Sequence, residues 1–422
     1  SRDECGTTVT GLSAAHSSSP FLDASERKEQ PDGDRDSLVK VLGADPAPFG
    51  EVLGAVGYHY EQWAKVSGFA QGIGVRTRDN PDFTMLNDET LKPRWSVQVD
   101  TKRSTYDASD KRYLVATMPT NAAPDLVSLD ADNGHRVWCT TLGEDEVHQA
   151  DPFATAILDD EDVAVLGPSA DKERLVRIDG RDGSQLWERT LDADSGDFLG
   201  EMGEGRLLLG GRAQFELYDA GSVAKRPAGP ALQLVSAKDG SLIWTRPAAA
   251  GADVHVLGTA SEGDFDGDLD RAIVEEWDSR TKSARLTAID AKGRQVWSIS
   301  PARGRYFDAT LRAGRILVRA GTHWSAYAVA DGHRLWSREV PDKPQFLPYG
   351  FELDSISMLD DHHALVGGTT ALHTLSLRTG AMTSAPLPTD GINTTYWPYE
   401  TAISPGLIAV ATNTGAVVVR RE

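Results

Sequence analysis

Short stretches of alternating apolar and polar residues recur along the chain, each followed by a glycine-closed turn and a tryptophan. The clearest copy, residues 126–138, has the sequence Leu-Val-Ser-Leu-Asp-Ala-Asp-Asn-Gly-His-Arg-Val-Trp. A period of two is typical of a β-strand with covered faces. An Asp-rich turn closed by glycine permits the positive φ that a tight hairpin needs. The unit is therefore predicted to be a β-hairpin with a tryptophan on its second strand.

The hairpin unit is repeated along most of the chain. Copies occur at residues 83–95, 126–138, 175–187, 232–244, 286–297, 326–336 and 372–384. The first copy has Leu91 in place of the turn glycine, and the last has Ser384 in place of the tryptophan. Successive tryptophans of the five complete copies are separated by 39 residues (Trp297 to Trp336) to 57 residues (Trp187 to Trp244). This period is typical of propeller blades, and the tryptophan is predicted to pack between neighbouring blades.

The strands ahead of each hairpin complete the prediction of an all-β fold with four-stranded antiparallel blades. The last repeat supplies only three strands, at residues 401–404, 407–412 and 416–420. Because closed rings avoid open sheet edges, we expect an N-terminal strand at residues 38–42 to supply the fourth. Residues 37–422 are thus predicted to form one eight-bladed β-propeller, or a seven-bladed one if residues 83–97 hold the closing strand.

The first 36 residues differ from the rest of the chain in composition. They are rich in Ser, Asp, Glu and Gly. Such a segment buries too little apolar surface to form a core, so we expect a flexible or surface-lying tether.

The pattern Leu-x-x-Leu-Asp-x-x-x-Gly-x-x-x-Trp resembles the repeat of pyrroloquinoline quinone (PQQ)-like propellers over roughly residues 70 to 420. The resemblance implies a fold shared by eight-bladed quinoprotein dehydrogenases and non-catalytic relatives, among them outer-membrane assembly lipoproteins and extracytoplasmic sensor domains. The dehydrogenases carry adjacent cysteines under the quinone and long active-site insertions. Here Cys5 and Cys139 are far apart, and most connections are short. We therefore expect neither catalytic residues nor bound PQQ.

Charge and cysteine content narrow the classes of partner. The chain of 422 residues has a formal net charge of −20, which argues against nucleic acid and anionic membranes as partners. The sequence has no apolar run long enough to span a bilayer. The first residue is Ser1 rather than methionine, which is compatible with the loss of a signal peptide or an N-terminal anchor. Cys5 and Cys139 either form one disulfide, tying the N-terminal segment to an outer strand, or are free thiols.

One acidic loop has the pattern of a calcium site. Asp264, Asp266, Asp268 and Asp270 alternate with other residues, and Gly267 allows the chain to bend. Such oxygen ligands suit Ca²⁺, and the like charges repel one another without a cation. The loop also resembles the calcium loops of FG-GAP propeller repeats but is shorter before Asp270, which makes Asp270 the weakest candidate ligand. The alternative is a solvated acidic turn.

Three aromatic clusters precede the first strands of successive blades, around Phe307, Phe346 and Trp397. They either wedge between blades as core or form a rim for a peptide or glycan.

The sequence as a whole predicts a monomeric, non-catalytic binding or scaffold propeller, exported from a bacterium, with a protein or cell-envelope glycan as partner and a structural calcium ion. The alternatives are a PQQ-dependent oxidoreductase and the extracellular sensor domain of a membrane receptor.

Overall fold

The computed structural model of the chain consists of β-strands and tight turns. It describes residues 9–12, 52–57, 64–69, 72–77, 83–87, 93–99, 104–109, 111–117, 125–142, 154–169, 172–191, 198–211, 230–247, 252–260, 270–278, 281, 283–302, 307–321, 323–339, 356–358, 362–367, 371–386, 398–412 and 415–420.

The described residues form eight antiparallel sheets, the larger of the two predicted numbers. The first four sheets contain β1 (Val9–Leu12), β3 (Ala64–Phe69), β4 (Gly72–Thr77), β5 (Phe83–Asn87), β6 (Pro93–Val99), β7 (Ser104–Ala108), β8 (Arg112–Thr117), β9 (Asp125–Asp130), β10 (Arg136–Thr141), β11 (Ala154–Ile157), β12 (Val163–Ser169), β13 (Lys172–Ile178), β14 (Gln185–Leu191), β15 (Phe198–Glu201), β16 (Arg206–Gly210), β17 (Pro230–Ser236) and β18 (Leu242–Pro247). The other four contain β2 (Val52–Gly57), β19 (Ala252–Ala260), β20 (Arg271–Asp278), β21 (Ser283–Asp290), β22 (Gln295–Ile299), β23 (Asp308–Arg312), β24 (Arg315–Ala320), β25 (His323–Ala328), β26 (Arg334–Glu339), β27 (Ile356–Met358), β28 (His363–Gly367), β29 (Ala371–Ser376), β30 (Met382–Pro386), β31 (Pro398–Ile403), β32 (Leu407–Thr412) and β33 (Gly415–Arg420).

Each sheet is one blade, and the blades follow chain order. Blade 1 is β3–β6, blades 2 to 7 are the next six groups of four strands, and blade 8 is β31–β33 with β2. At most of the interfaces the first strands of neighbouring blades contact one another, so these strands line the inside of the ring. Because successive strands are antiparallel, the turn after the first strand and the turn after the third lie at the same end of every blade. We call this end of the ring the turn face.

The ring is closed by β2, which pairs antiparallel with β33 from Val52 opposite Val419 to Gly57 opposite Gly415. Closure by an N-terminal strand is thus confirmed, but its placement at residues 38–42, which lie outside the described residues, was wrong. The physical reason is the length of the connection to the next blade. Only residues 58–63 separate β2 from β3, much as residues 100–103 join blade 1 to blade 2. A strand at residues 38–42 would need a far longer connection.

A fifth strand, which the sequence analysis did not predict, lies on the outer edge of blade 1. β1 pairs antiparallel with β6, from Val9 opposite Val99 to Leu12 opposite Ser96. The outer edge of blade 1 thus accepts an added strand. The rest of the tether predicted for residues 1–36 lies outside the described residues.

The hairpin tryptophans join each blade to the next. Each indole N–H donates a hydrogen bond of 2.7–3.0 Å to a backbone carbonyl in the third-to-fourth-strand turn of the following blade. Each ring also lies against the glycine of that turn, where an added Cβ would come within 2.5–3.0 Å of the indole. The pairs are Trp95 with Gly134, Trp138 with Gly183, Trp187 with Gly240, Trp244 with Gly293, Trp297 with Gly332, and Trp336 with Gly380. The prediction that these tryptophans pack between neighbouring repeats is confirmed.

The hydrophobic core lies between blades rather than at one centre. Phe83 and Met85 of blade 1, for example, pack with Tyr113, Val115 and Val127 of blade 2. Clusters of the same kind fill the next five interfaces, from blades 2 and 3 to blades 6 and 7. The face-to-face packing of neighbouring sheets therefore supplies most of the apolar burial.

Phe307 is 1 % exposed and belongs to the cluster between blades 5 and 6, so at this position the aromatic residue is core. Phe346 and Trp397 lie outside the described residues. Within the described part of the chain, no helix has the length and apolarity needed to cross a membrane.

Replacing a turn glycine tests the indole contact. Gly134 has φ +69°, and an added Cβ would lie 2.5 Å from the Trp95 ring. Gly205 has φ +70°, and a Cβ added there would meet no atom within 4 Å. Its replacement therefore measures only the cost of placing an alanine in a left-handed backbone conformation. We expect Gly134→Ala to lower the free energy of unfolding by about 2–4 kcal/mol and Gly205→Ala by about 1 kcal/mol in urea titrations. Equal losses in the two variants would contradict the role of the contact.

Candidate functional site

A pocket of about 550 Å³ opens on the turn face between blades 2, 3 and 4. Its wall consists of Ser109 and Lys111 from blade 2, residues 155–159 and 161 from blade 3, and residues 199–201 from blade 4. The first strands β11 and β15 supply most of this wall, so the pocket lies on the inner side of the ring. Inner mouths of propellers, where several blades converge, are where these folds bind ligands.

Glu161 connects blades 2 and 3 at the edge of the pocket. Its carboxylate accepts a hydrogen bond from the Ser109 hydroxyl (3.2 Å) and lies 3.7 Å from the Lys111 ammonium. Its backbone is in the left-handed region at φ 67°, which is uncommon for a residue other than glycine. Gly180 packs so closely on this turn that an added Cβ would lie 1.9 Å from the Glu161 carbonyl oxygen. The turn is therefore fixed by its neighbours, and it holds the Glu161 carboxylate at the pocket.

Glu201 connects blades 3 and 4 at the other side of the pocket. Its carboxylate accepts a hydrogen bond of 3.0 Å from the backbone N–H of Asp159. Partial burial, together with the carboxylates of Asp159 and Asp160, raises the pKa of Glu201 to about 7, although the Asp159 N–H acts in the opposite direction. The pocket thus contains a carboxyl group that changes its charge near neutral pH.

Arg206 and Asp270 connect blades 4 and 5 on the same face, with 2.5 Å between the guanidinium Nη2 and the carboxylate Oδ2. Asp270 is the last residue of the predicted calcium loop. An adjacent guanidinium already compensates its charge, so it fits poorly as a calcium ligand. Asp264, Asp266 and Asp268 lie outside the described residues. Among the described residues, no group of three His, Cys, Asp or Glu side chains is arranged to hold a metal ion.

Cys139 lies on β10, the outer strand of blade 2, and is disulfide-bonded. It packs against the cluster shared by blades 1 and 2. Cys5, the other cysteine in the sequence, lies outside the described residues but precedes β1 on blade 1 by four positions. The Cys5–Cys139 pairing stays a prediction; β1 belongs to the blade next to the one that contains Cys139.

The pocket can recognise polar groups: a hydroxyl, an ammonium and carboxylates surround a wall that includes Leu158 and Leu199. Sequence reasoning identified none of these polar residues, because they belong to no motif with fixed spacing. Their common signal is their position in or near the first turn of each blade, which becomes visible only once the blades have been delimited.

The raised pKa of Glu201 predicts a pH-dependent stability. The folded state keeps this proton up to a pKa of about 7, whereas the ordinary pKa of a glutamate, which applies to the unfolded chain, is 4.5, so stability falls as pH rises from 4.5 to 7. We expect Glu201→Gln to remove this component and to stabilise the protein at pH 8 by on the order of 1 kcal/mol, allowing for partial exposure. Urea titrations at pH 5 and pH 8 measure the difference. Glu204→Gln, at an exposed neighbouring position, is the control, and identical pH profiles for both variants would contradict the assignment.

Comparison with known proteins gives matches to one family and to several propeller structures. The family described as outer membrane protein assembly factor BamB matches residues 42–206 and 228–421. BamB from Moraxella catarrhalis is 14% identical, with a TM-score of 0.51 over 88% of this chain and 97% of that chain. The Dos1 propeller is 12% identical, with a TM-score of 0.52 over 88% of this chain and 95% of that chain. A quinohemoprotein alcohol dehydrogenase from Pseudomonas putida is 9% identical, with a TM-score of 0.45 over 93% and 82%. No match was found among curated proteins.

At these identities, the likeness to BamB and to the Dos1 propeller shows the fold alone. The family match is of a different kind because it extends over most of the sequence, on both sides of residues 207–227. The PQQ-like repeat inferred from the hairpin pattern is thereby confirmed. The chain belongs to the family described as outer membrane protein assembly factor BamB.

Proposed function

We propose that the chain is a non-catalytic propeller that acts outside the bacterial cytoplasm as a binding or scaffold module for a protein or a cell-envelope glycan. The observation that carries this proposal is the family match across residues 42–206 and 228–421. The description of that family names an assembly factor, and assembly depends on binding. A propeller suits this role because its faces and rim present the side chains of several blades at once.

The position of Cys139 supports a role without quinone chemistry. The quinoprotein dehydrogenases that the repeat resembles carry adjacent cysteines under the quinone. Here Cys139 lies on an outer strand and is disulfide-bonded, and Cys5 is distant from it in sequence. We therefore expect Cys139 to tie strands together rather than to support a cofactor.

The dehydrogenase alternative is tested by adding PQQ and Ca²⁺ to the purified protein and following dye-linked oxidation of alcohols and sugars. We expect no protein-dependent dye reduction and no change in the PQQ absorbance spectrum. A quinoprotein dehydrogenase assayed in parallel controls for dye and cofactor. Dye reduction that saturates with PQQ would overturn the non-catalytic assignment.

We also propose that the loop of residues 263–270 binds a structural calcium ion through Asp264, Asp266 and Asp268. The alternating carboxylates support this proposal. The ion pair between Asp270 and Arg206 would anchor the end of the loop to blade 4 and so restrict the positions that the ligands can adopt. Calcium would then stiffen the turn face beside blade 4.

Isothermal titration with Ca²⁺ tests the loop. We expect one binding event in the native protein and an affinity at least about tenfold lower in Asp266→Asn, because one carboxylate ligand is lost. Asp132→Asn removes an exposed carboxylate from a turn in blade 2 and should leave the binding unchanged. Heats near zero for the native protein would eliminate the calcium site.

A further inference from the structure

Four large aliphatic side chains are exposed among the described residues, and all four lie on the outer strands of three adjacent blades. Leu186 is 48 % exposed on blade 3, Leu242 and Ile243 are 46 % and 47 % exposed on blade 4, and Val296 is 42 % exposed on blade 5. Single exposed aliphatic residues are common on protein surfaces, but a grouping on neighbouring strands indicates an interaction surface.

Three of these residues occupy the same structural position, directly before the tryptophan. At Leu186, Ile243 and Val296 the pairing with the third strand shifts register, so each is the extra residue of a β-bulge. The equivalent position in blade 1 is Arg94. Blades 2 and 6 have Val137 and Leu335 at this position, and both are partly buried against the clusters between blades. Leu186, Ile243 and Val296 differ from these two residues in being exposed.

Two arginines lie at the seams between these blades. The Arg189 guanidinium of blade 3 donates a hydrogen bond to the Gly240 carbonyl in the turn of blade 4 (2.6 Å). The Arg246 guanidinium of blade 4 donates to the Gly293 carbonyl of blade 5 (3.4 Å) and lies 3.5 Å from the Gln295 amide oxygen, next to Val296. Positive charge is thus held beside the aliphatic residues by carbonyl groups rather than by carboxylates.

Two exposed lysines extend this charge along the rim. Lys238 and Lys292 lie in the turns that precede Leu242 and Val296. Among the described residues, neither these lysines nor the two seam arginines form an ion pair with a carboxylate. We call the four aliphatic side chains and these four cations the outer rim patch.

Two carboxylates near the patch, Glu188 and Asp239, have partners of different kinds. Glu188 pairs with Arg174 at 3.1 Å, and Asp239 accepts hydrogen bonds from both the N–H and the hydroxyl of Ser241. The charge of Glu188 is thereby compensated, whereas Asp239 keeps its negative charge because its donors are neutral. The four cations of the patch outnumber this carboxylate. This excess of positive charge contrasts with the net charge of −20 of the whole chain.

We propose that the outer rim patch binds an extended acidic segment of a partner protein, whose aliphatic side chains cover the four exposed residues and whose carboxylates meet the four cations. This inference rests on the proposed binding function and specifies its partner. A linear segment fits because the aliphatic residues follow the curved outer edge of three blades instead of filling one concavity. The acidic character follows from charge complementarity, since the rest of the chain repels acidic segments.

Fluorescence anisotropy with labelled synthetic peptides tests the proposal. The probe is a short peptide of alternating Asp and Leu, and the comparison peptides alternate Lys with Leu and Asp with Ser. We expect the Asp–Leu peptide to bind at least about tenfold more tightly than either of the others, and its affinity to fall as salt is added. The first comparison tests the charge of the segment and the second tests its aliphatic side chains.

Variants locate the binding on the protein. We expect the double variants Leu242→Ser/Ile243→Ser and Lys238→Glu/Lys292→Glu each to weaken the Asp–Leu peptide about tenfold or more. Arg378→Glu reverses a charge in the corresponding turn of blade 7 and should leave the affinity unchanged. Thermal unfolding of every variant verifies the fold, which these exposed substitutions should preserve.

Three outcomes would overturn the proposal. Equal affinity of the native protein for all peptides, or for none, eliminates an acidic aliphatic segment as the partner. Peptide binding that the rim variants leave unchanged places the site elsewhere. Rim-dependent binding to phosphatidylglycerol vesicles, without binding to the peptide, assigns the patch to a lipid surface. The quinone assay tests the proposed non-catalytic function independently, so none of these three outcomes decides it.

Discussion

A tryptophan that reaches from one blade to the turn glycine of the next is the contact on which the ring depends. A flat indole can lie against a turn only if the residue there lacks a Cβ, and that residue also adopts the positive φ that the turn requires. One glycine therefore meets two requirements at once. The indole N–H satisfies a carbonyl of the same turn, so the contact fixes both the distance and the orientation of the neighbouring sheets. Repetition of this contact gives neighbouring sheets, which also pack through their hydrophobic clusters, the same relative arrangement at six interfaces.

Much of the fold follows from the sequence because this contact leaves a visible trace. The spacing of glycine and tryptophan, at Gly183 and Trp187 for example, delimits a hairpin without reference to its neighbours. The closing strand left no comparable trace. Val52–Gly57 contains two glycines, and its assignment depends on the length of the connection to blade 1 and on pairing with a distant strand. The sequence pattern reports local geometry well, whereas pairing between the two ends of the chain is a property of the whole ring.

The polar residues of the turn face were harder to predict than the fold. Glu161 lies in the first turn of its blade and Glu201 directly before one, and the properties of both depend on contacts with the adjacent blade. The ionisation of Glu201 depends on burial and on the carboxylates of blade 3, none of which is adjacent to it in sequence. Together with the Arg206–Asp270 ion pair, these contacts join blades 2 to 5 on the inner side of the ring, while the indoles join them farther out. In the part of the ring that carries the pocket, neighbouring blades are thus joined by two kinds of contact, polar contacts on the inner side and indole contacts farther out.

The opposite side of the ring is built differently. Ser384 replaces the tryptophan at the end of blade 7, and the outer strand of blade 8, Val52–Gly57, contains no tryptophan. Within the described residues, the indole contact found at six interfaces is not repeated at the two interfaces that flank the composite blade. The same blade is the one in which β2, from the first part of the sequence, pairs with the last strand of the chain. We therefore expect local opening of the native state to cost least at this junction, on the side of the ring away from blades 2 to 5.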